Sequence, residues 1–197
     1  MSHDCDESYT LAPGYLKSYA MKDPDLEERV DIDIKEFCNK CNSKKDVINY
    51  LLTEKPNIVG FSCYCWNIEN VQKIVENLEK VMPETTVVLG GPEVGPIADE
   101  VLREIKGADI VVRGEGERTF SELLRHYALE ERNLGDIEGI TYRTEQGIKK
   151  TPEREIIEDL NEVPSPYLNV DIKPEVNDPT ETEVRRKFLV EYSRGCL

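Results

Sequence analysis

The stretch "NIVGFSCYCW" (57–66) decides the fold, because it is a continuous apolar run about as long as one β-strand. A strand that is apolar on both faces is typical of a parallel sheet covered by helices on both sides. Two later stretches have the same form, "TTVVLGGPEVG" (85–95) and "ADIVVRGEGE" (108–117), and each passes from an apolar strand into a glycine-containing turn. Together they predict neighbouring strands of one parallel sheet.

Amphipathic segments follow each of these strands. The first, 67–83, has Asn67 as a helix cap and Pro83 as its stop, and 96–107 and 118–131 have the same apolar spacing. Strand and helix therefore alternate, which predicts an α/β protein with a doubly wound, Rossmann-like sheet of the flavodoxin-like type.

Upstream of residue 57 the pattern continues in weaker form. A short helix is predicted at 11–21 and a second at 43–56, with Ser43 as its cap. Between them "RVDIDIKEF" (29–37) alternates apolar and polar residues, which predicts a half-exposed strand starting at Val30. No strand precedes the first helix, although sheets of this class ordinarily begin with one, so we expect the first strand to be missing.

Downstream of the alternating region the pattern changes. "IEGITYRTEQGIKKTP" (137–152) predicts a hairpin with its turn near Gln146-Gly147, and the proline-rich stretch 159–181 predicts an extended linker. An apolar strand is predicted at 188–192, immediately before "SRGC". We therefore divide the chain into a Rossmann-like domain (1–134), a hairpin with a linker (135–187) and the start of another unit (188–197).

Composition limits the function classes. The chain has 197 residues, 39% hydrophobic and 33% charged, and a formal net charge of −15. Such an acidic protein repels a phosphate backbone, so nucleic-acid binding is not expected. No apolar stretch approaches the length of a membrane span and no signal peptide is recognisable, so we expect a cytoplasmic protein.

Six cysteines allow a metal-binding hypothesis. In an acidic cytoplasmic protein they are expected to be thiols or ligands rather than disulfides. Cys38 and Cys41 form one pair and Cys63 and Cys65 another, as in some zinc sites. No suitably spaced histidine joins them, and Cys63 and Cys65 end an apolar strand. We therefore prefer buried apolar side chains and a loop pair, and keep zinc as an alternative.

Three turns are predicted to meet at the carboxyl edge of the sheet, where open parallel sheets bind ligands. Turns that lack Cβ atoms let a large ligand approach the backbone and expose amide donors to it. The candidate binding residues are Ser62, Cys63, Tyr64, Gly90, Gly91, Pro92, Glu93, Gly114, Glu115, Gly116 and Glu117.

Several common ligands and reactions are not supported at this edge. Glu115 and Glu117 disfavour a phosphate, and Glu117 is expected to satisfy the N-terminus of the helix that it begins. No turn matches a dinucleotide fingerprint, a P-loop or a hydrolase elbow. His126 is expected on a helix surface and His3 in a polar tail, so neither is a catalytic candidate.

Six motifs occur in an order that resembles a known family. They are "IVGFSCYCWN", "VVLGGPEVG", "ADIVVRGEGERTFSELL", "GITYR", "DLNEVPSPY" and "EYSRGC". In this order they resemble the front of cobalamin-binding-domain radical S-adenosylmethionine proteins, a group that includes the anaerobic magnesium-protoporphyrin monomethyl ester cyclase. The resemblance covers about Leu11 to Cys196, nearly the whole chain.

The resemblance implies that the Rossmann-like part holds cobalamin. Ser62 and the Gly90-Gly91-Pro92 turn match segments that line the nucleotide tail of cobalamin in the wider superfamily, and Gly114 to Glu117 would border it. The superfamily's DxHxxG motif is absent, and Tyr64 stands where leucine is usual. No protein imidazole is therefore expected to coordinate cobalt from below.

The same resemblance implies a role for Cys196 as a ligand of an iron–sulfur cluster. In the family, SRGC begins the catalytic barrel, and its cysteine is the first of three that hold a four-iron four-sulfur cluster, which binds S-adenosylmethionine. Leu197 stands where proline is usual, and the other two cysteines do not occur in this sequence. This part is therefore expected to be non-catalytic alone and to work with the radical S-adenosylmethionine barrel of the full-length chain.

Two functions stay open from the sequence. The first is a cobalamin-binding domain of a radical enzyme that performs methyl transfer or oxidative cyclisation. The alternative is a degenerate scaffold that docks on the barrel without cobalamin.

Overall fold

The computed structural model describes residues 11–37, 42–169, 191 and 194. Their centre is one five-stranded sheet in the order β1-β2-β3-β4-β5. The first three strands are parallel, and the last two form an antiparallel hairpin on β3. The strands are β1 (Ile58–Ser62), β2 (Thr86–Gly90), β3 (Ile110–Val112), β4 (Ile140–Thr144) and β5 (Gly147–Lys150).

Helices cover the sheet on both faces, as the apolar strands require. Three helices precede β1: α1 (Leu11–Ala20), α2 (Pro24–Arg29) and α3 (Lys44–Glu54). One helix follows each parallel strand: α4 (Ile68–Val81), α5 (Ala98–Glu104) and α6 (Glu117–Leu129). The short helix α7 (Pro166–Asn169) follows the hairpin. Two short 3₁₀ turns occupy Leu134–Asp136 and Leu160–Glu162.

The two faces of the sheet have separate cores. On one face α4 and α5 pack on the side chains of Leu89 and Val111. On the other face Leu123 of α6 packs on Val88 and Val112. Alternate residues of β2 and β3 therefore point to opposite apolar layers, which explains why these strands are apolar throughout. The predicted doubly wound α/β fold is confirmed.

The strand predicted at Val30 is wrong. Residues 31–37 form no strand and lie outside the sheet. Val30 and Ile32 instead pack beside Leu26 and Leu124, and the ammonium of Lys17 donates a hydrogen bond to the carbonyl of Ile32. An alternating pattern indicates that one side of an extended segment is buried, but it does not indicate that a neighbouring strand pairs with that segment.

The predicted hairpin is confirmed, with β4 and β5 joined where Gln146-Gly147 was expected. It extends the main sheet through Val112, which pairs with Ile140. Arg113 strengthens the junction, since its Nη2 donates to the carbonyls of Ile140 (3.1 Å) and Thr151 (2.6 Å). The sheet thus continues across residue 135, while the division into domains stays a prediction.

The linker predicted at 159–181 is not uniformly extended. Its front part contains the 3₁₀ turn at Leu160–Glu162 and the single-turn helix α7. The rest of the linker, Cys196 and most of the strand predicted at 188–192 lie outside the described residues. Within the described ranges, no helix is both long and apolar enough to span a bilayer.

Candidate cofactor site at the carboxyl edge of the sheet

The three predicted turns do lie along one edge of the sheet. They follow β1, β2 and β3, which run parallel, so their carboxyl ends share that edge. The first two turns are direct neighbours because Ser62, the last residue of β1, pairs with Gly90, the last residue of β2. The structure therefore brings together the residues that the sequence singled out.

The first turn is built around the side chain of Asn67. Its amide group donates to the carbonyl of Ser62 (2.8 Å), and its carbonyl oxygen accepts from the backbone N–H of Tyr64 (2.8 Å). Asn67 is the N-cap residue of α4, as predicted, but its side chain braces the preceding turn rather than the helix. The turn is thus pre-shaped before any ligand arrives.

Gly91 joins the first turn to the second. Its φ of +110° is unfavourable for other residues, and a Cβ there would lie 2.5 Å from the carbonyl oxygen of Cys63. The N–H of Cys63 donates to the carbonyl of Gly90 (2.7 Å), and that of Glu93 donates to the carbonyl of Cys63 (3.4 Å). The missing side chain of Gly91 therefore serves close packing of the two turns.

Open space remains beside two other glycines. A Cβ on Gly90 would meet only Val112, at an ordinary 3.9 Å, and a Cβ on Gly114 would have nothing within 4 Å. Gly114 is exposed and has a φ of +72°. The carboxyl ends of β2 and β3 therefore each have open space beside a glycine, as a large ligand would need.

Sequence reasoning missed an aromatic surface at this edge. The rings of Tyr64 and Trp66 stack with centroids 4.5 Å apart and planes 7° from parallel, and Trp66 is 67% exposed. The "YCW" spacing was the available signal. An exposed flat aromatic surface can cover an apolar planar group. Trp66 does not fill the space at the glycine turns, because no atom of it lies within 4 Å of a Cβ placed on Gly90 or Gly114.

Cys63 lies in the apolar core beneath the first turn. Its thiol is buried, and burial raises its pKa to about 12, helped by the nearby carboxylate of Glu93, although the backbone contact with Gly90 opposes the shift. The thiol is therefore protonated near neutral pH. Cys65 is exposed. No cluster of three potential metal ligands occurs among the described residues, and Cys38 and Cys41 lie outside them.

The acidic residues of the third turn have a partner that the sequence did not predict. Glu117 is the first residue of α6, but its carboxylate accepts from Arg194 (2.6 Å). Glu115 accepts from the same guanidinium (3.2 Å) and from the backbone N–H of Ile157. Glu117 is the acidic residue in the first turn of α6, and it is in addition engaged by a residue distant in sequence; its role at the helix terminus stays a prediction.

Polar groups at the opposite edge serve the fold. A cleft of about 170 Å³ there is lined by Asp109, Tyr127 and Arg143. Burial raises the pKa of Asp109, while the backbone N–H of Val87 donates to it at 2.7 Å. Arg143 donates to the carbonyls of Leu102 and Ala108.

His126 lies near the C-terminal end of α6 and contacts the carbonyl of Arg132, so it is remote from the candidate site.

A doubly wound sheet with glycine-containing turns along its carboxyl edge is typical of α/β ligand-binding domains. Within that class, the sequence profile of the B12 binding domain matches residues 26–124. The chain belongs to this family.

Curated relatives agree with the family resemblance. The chain is 26% identical over 186 residues to the cobalamin-dependent radical SAM methyltransferase TokK of Streptomyces tokunonensis, covering 94% of this chain and 27% of TokK. It is also 26% identical to the anaerobic magnesium-protoporphyrin IX monomethyl ester cyclase of Rubrivivax gelatinosus, covering 93% of this chain and 32% of the cyclase. The chain thus spans about a third or less of these relatives.

A solved structure supports the fold. The cobalamin-dependent S-adenosylmethionine radical enzyme OxsB, with aqua-cobalamin and S-adenosylmethionine bound, superposes with a TM-score of 0.68. The match has 21% sequence identity and covers 82% of this chain and 22% of OxsB. The mostly parallel α/β arrangement is therefore the one found in that enzyme.

Proposed function

We propose that this domain binds cobalamin along the carboxyl edge of its sheet. The candidate contacts are the turns Ser62–Tyr64 and Gly90–Glu93, with Gly114–Glu117 at the border. The observation that carries the proposal is the open space at Gly90 and Gly114 in a chain of the B12 binding domain family. A corrinoid is a large planar ligand, and such a backbone edge can accommodate it.

The residues of this chain would hold and orient the cofactor. Backbone amides of the glycine turns can donate to its amide and phosphate oxygens, and the hydroxyl of Ser62 can donate or accept. The braced turn at Asn67 would keep Ser62 in place. The exposed face of Trp66 offers apolar area to the macrocycle. When bound, cobalamin supplies methyl-group transfer or electron transfer.

No imidazole from the described residues is placed to coordinate cobalt. His126 is the histidine in the described ranges, and it lies near the C-terminal end of α6, away from the candidate edge. The proposal therefore has cobalamin held through the corrin periphery and the nucleotide tail, without a histidine ligand from this part of the chain.

In the whole protein we assign this domain to a radical S-adenosylmethionine enzyme. The names of TokK and of the cyclase from R. gelatinosus support that class, and methyl transfer and oxidative cyclisation both stay open. Cys196 would be the first ligand of a four-iron four-sulfur cluster in a barrel of the same chain. One thiolate cannot hold such a cluster, so residues 1–197 are proposed to be non-catalytic alone.

The test is direct binding of hydroxocobalamin to the purified chain. The chain is mixed with excess cofactor, passed through gel filtration, and examined by visible absorption. We expect a cobalamin spectrum to travel with the protein at close to one equivalent. A colourless protein peak that still associates with the separately expressed barrel would reject cofactor binding and favour the scaffold alternative.

A further inference from the structure

The guanidinium of Arg194 lies between the two carboxylates of the third turn. Its Nη2 donates to Glu117 at 2.6 Å and its Nη1 donates to Glu115 at 3.2 Å. Its Nε donates to Glu191 at 3.0 Å. Every nitrogen of the guanidinium therefore has a carboxylate partner, and two of these carboxylates come from a segment more than seventy positions earlier in the chain.

This contact is shielded from water, which separates it from ordinary surface ion pairs. The side chain of Glu117 is 6% exposed, and those of Arg194 and Glu115 are 19% and 20% exposed. Charges that are partly desolvated interact more strongly and are screened less by salt than exposed pairs. The neighbouring pair between Arg118 and Glu162 is much more open, at 32% and 46% exposure.

Elements from three parts of the chain enclose the contact. The guanidinium lies over the ring of Tyr15 in α1, with its carbon 5.5 Å from the ring centroid. Leu16 of the same helix packs against Gly116, where a Cβ would be only 3.0 Å away. The second oxygen of Glu115 accepts from the N–H of Ile157. The turn thus forms a shaped recess rather than an exposed acidic loop.

We infer that Glu115 and Glu117 form a receptor for Arg194, which docks the segment at 191–194 onto the carboxyl edge of this domain. Without the guanidinium, Glu117 would be a buried carboxylate beside a second one, which is strongly unfavourable. The arginine is thus the anchoring residue of that segment. Residues 170–190 lie between it and α7 in the sequence, so the contact joins positions that are far apart along the chain.

Under the proposed function the same contact would fix where the chain leaves the cofactor domain and enters the barrel. That step rests on the proposed function, whereas the docking itself does not. The test is therefore made on the full 197-residue chain without cobalamin, so that its failure and a failure of cofactor binding are separate results.

Hydrogen–deuterium exchange of the peptide that contains Arg194 measures the docking. In Arg194→Gln we expect exchange in this peptide to rise about tenfold, because the anchoring ion pairs are lost. Arg194→Lys keeps the positive charge, but an ammonium cannot donate to both carboxylates in the geometry of a guanidinium, so we expect an intermediate exchange rate. The matched control Arg118→Gln removes a charge one residue from Glu117 and should leave the rate unchanged.

The double variant Glu117→Gln/Arg194→Gln separates docking from folding. The double variant removes the buried negative charge of Glu117 together with its partner. Its thermal midpoint should therefore lie closer to that of the parent protein than the midpoint of Arg194→Gln does, while the peptide that contains residue 194 still exchanges quickly. Wild-type protection of the peptide in either Arg194→Gln or the double variant would overturn the inference. So would equally fast exchange in Arg118→Gln.

Discussion

At the scale of single residues, the two glycines of "GG" have different roles although they are adjacent in sequence. Gly91 lets the backbone of the second turn approach Cys63, whereas Gly90 faces open space with Val112 as its neighbour. The sequence identified both as candidate binding residues because glycine marks either role. Only the conformation distinguishes them, and it makes Gly91 a packing residue first.

This difference predicts unequal losses of stability for the same substitution at the two positions. Gly91→Ala should reduce the free energy of unfolding by about 2–4 kcal/mol, because the new methyl group meets the carbonyl of Cys63 and φ is +110°. Gly90→Ala, the matched control, should change it by less than about 1 kcal/mol. Urea denaturation followed by circular dichroism measures both, and equal effects would contradict this account.

A second prediction concerns the buried thiol of Cys63. Its pKa is raised to about 12 in the folded protein, against about 8.5 in an unfolded chain. The folded state therefore holds the proton more tightly, so this contribution is complete below pH 8.5 and is lost as the pH rises toward 12. The slope is at most about 1.4 kcal/mol per pH unit.

Stability measured from pH 8 to pH 11 tests this directly. Cys63→Ala should lower stability at pH 8 but flatten its decline at higher pH relative to the parent protein. Cys65→Ala should keep the parent slope because Cys65 is exposed. Iodoacetamide at pH 8 should modify Cys65 and spare Cys63; rapid labelling of Cys63 in the folded protein would contradict its burial.

At the scale of elements, the strands after residue 57 could be predicted because each is apolar on both faces and ends in a turn. The hairpin could also be predicted, since its turn residues and alternation agree. At 29–37 the sequence predicted a strand that the structure does not contain, because alternation shows one covered side and says nothing about a neighbouring backbone. The pairing of the hairpin with β3 was likewise not predicted, since no local pattern shows that β4 joins β3 or that Arg113 bonds the carbonyls of Ile140 and Thr151.

Arg113 is therefore expected to control the attachment of the hairpin. It is 5% exposed, and its Nη2 bonds the carbonyls of Ile140 and Thr151. Arg113→Ala would remove both hydrogen bonds and leave the carbonyl of Thr151 without this donor, although the carbonyl of Ile140 still accepts from the N–H of Thr151. Together with the loss of a buried side chain, this should cost about 3 kcal/mol or more. Arg103→Ala, at an exposed site in α5, should cost no more than about 0.5 kcal/mol. Thermal denaturation compares the two; similar midpoints would show that the hairpin does not depend on Arg113.

At the scale of the whole molecule, the candidate site is a property of the sheet rather than of any one turn. The family could be predicted from the order of the motifs, and the edge from the first three of them, because each of these ends a parallel strand and parallel strands end together. The partners of Glu115 and Glu117 could not, since Arg194 is distant in sequence and no local pattern links it to the third turn. Ion pairs between residues this far apart leave no periodic pattern in the sequence from which they could be predicted.

The single tryptophan of the chain provides a test of the whole edge. Trp66 is two-thirds exposed beside the first turn, so cobalamin bound there should quench its fluorescence by energy transfer to the corrin. A titration with hydroxocobalamin, corrected for absorption with free N-acetyltryptophanamide, should saturate near one equivalent. Bound cofactor should also stabilise the fold, by about 2.7 kcal/mol at a hundred times its dissociation constant.

Two matched valine variants decide whether this signal comes from the glycine edge. Gly90 and Gly60 both have room for a Cβ and neither has a positive φ, but Gly60 lies in the middle of β1 and Gly90 at its neighbour's carboxyl end. Gly90→Val should raise the dissociation constant about tenfold or more by filling the approach to the backbone, while Gly60→Val should leave it unchanged. Thermal midpoints of the unliganded variants check that both fold. Equal affinities would mean that any bound corrinoid lies away from the turns at the carboxyl edge, and the site proposed here would be wrong.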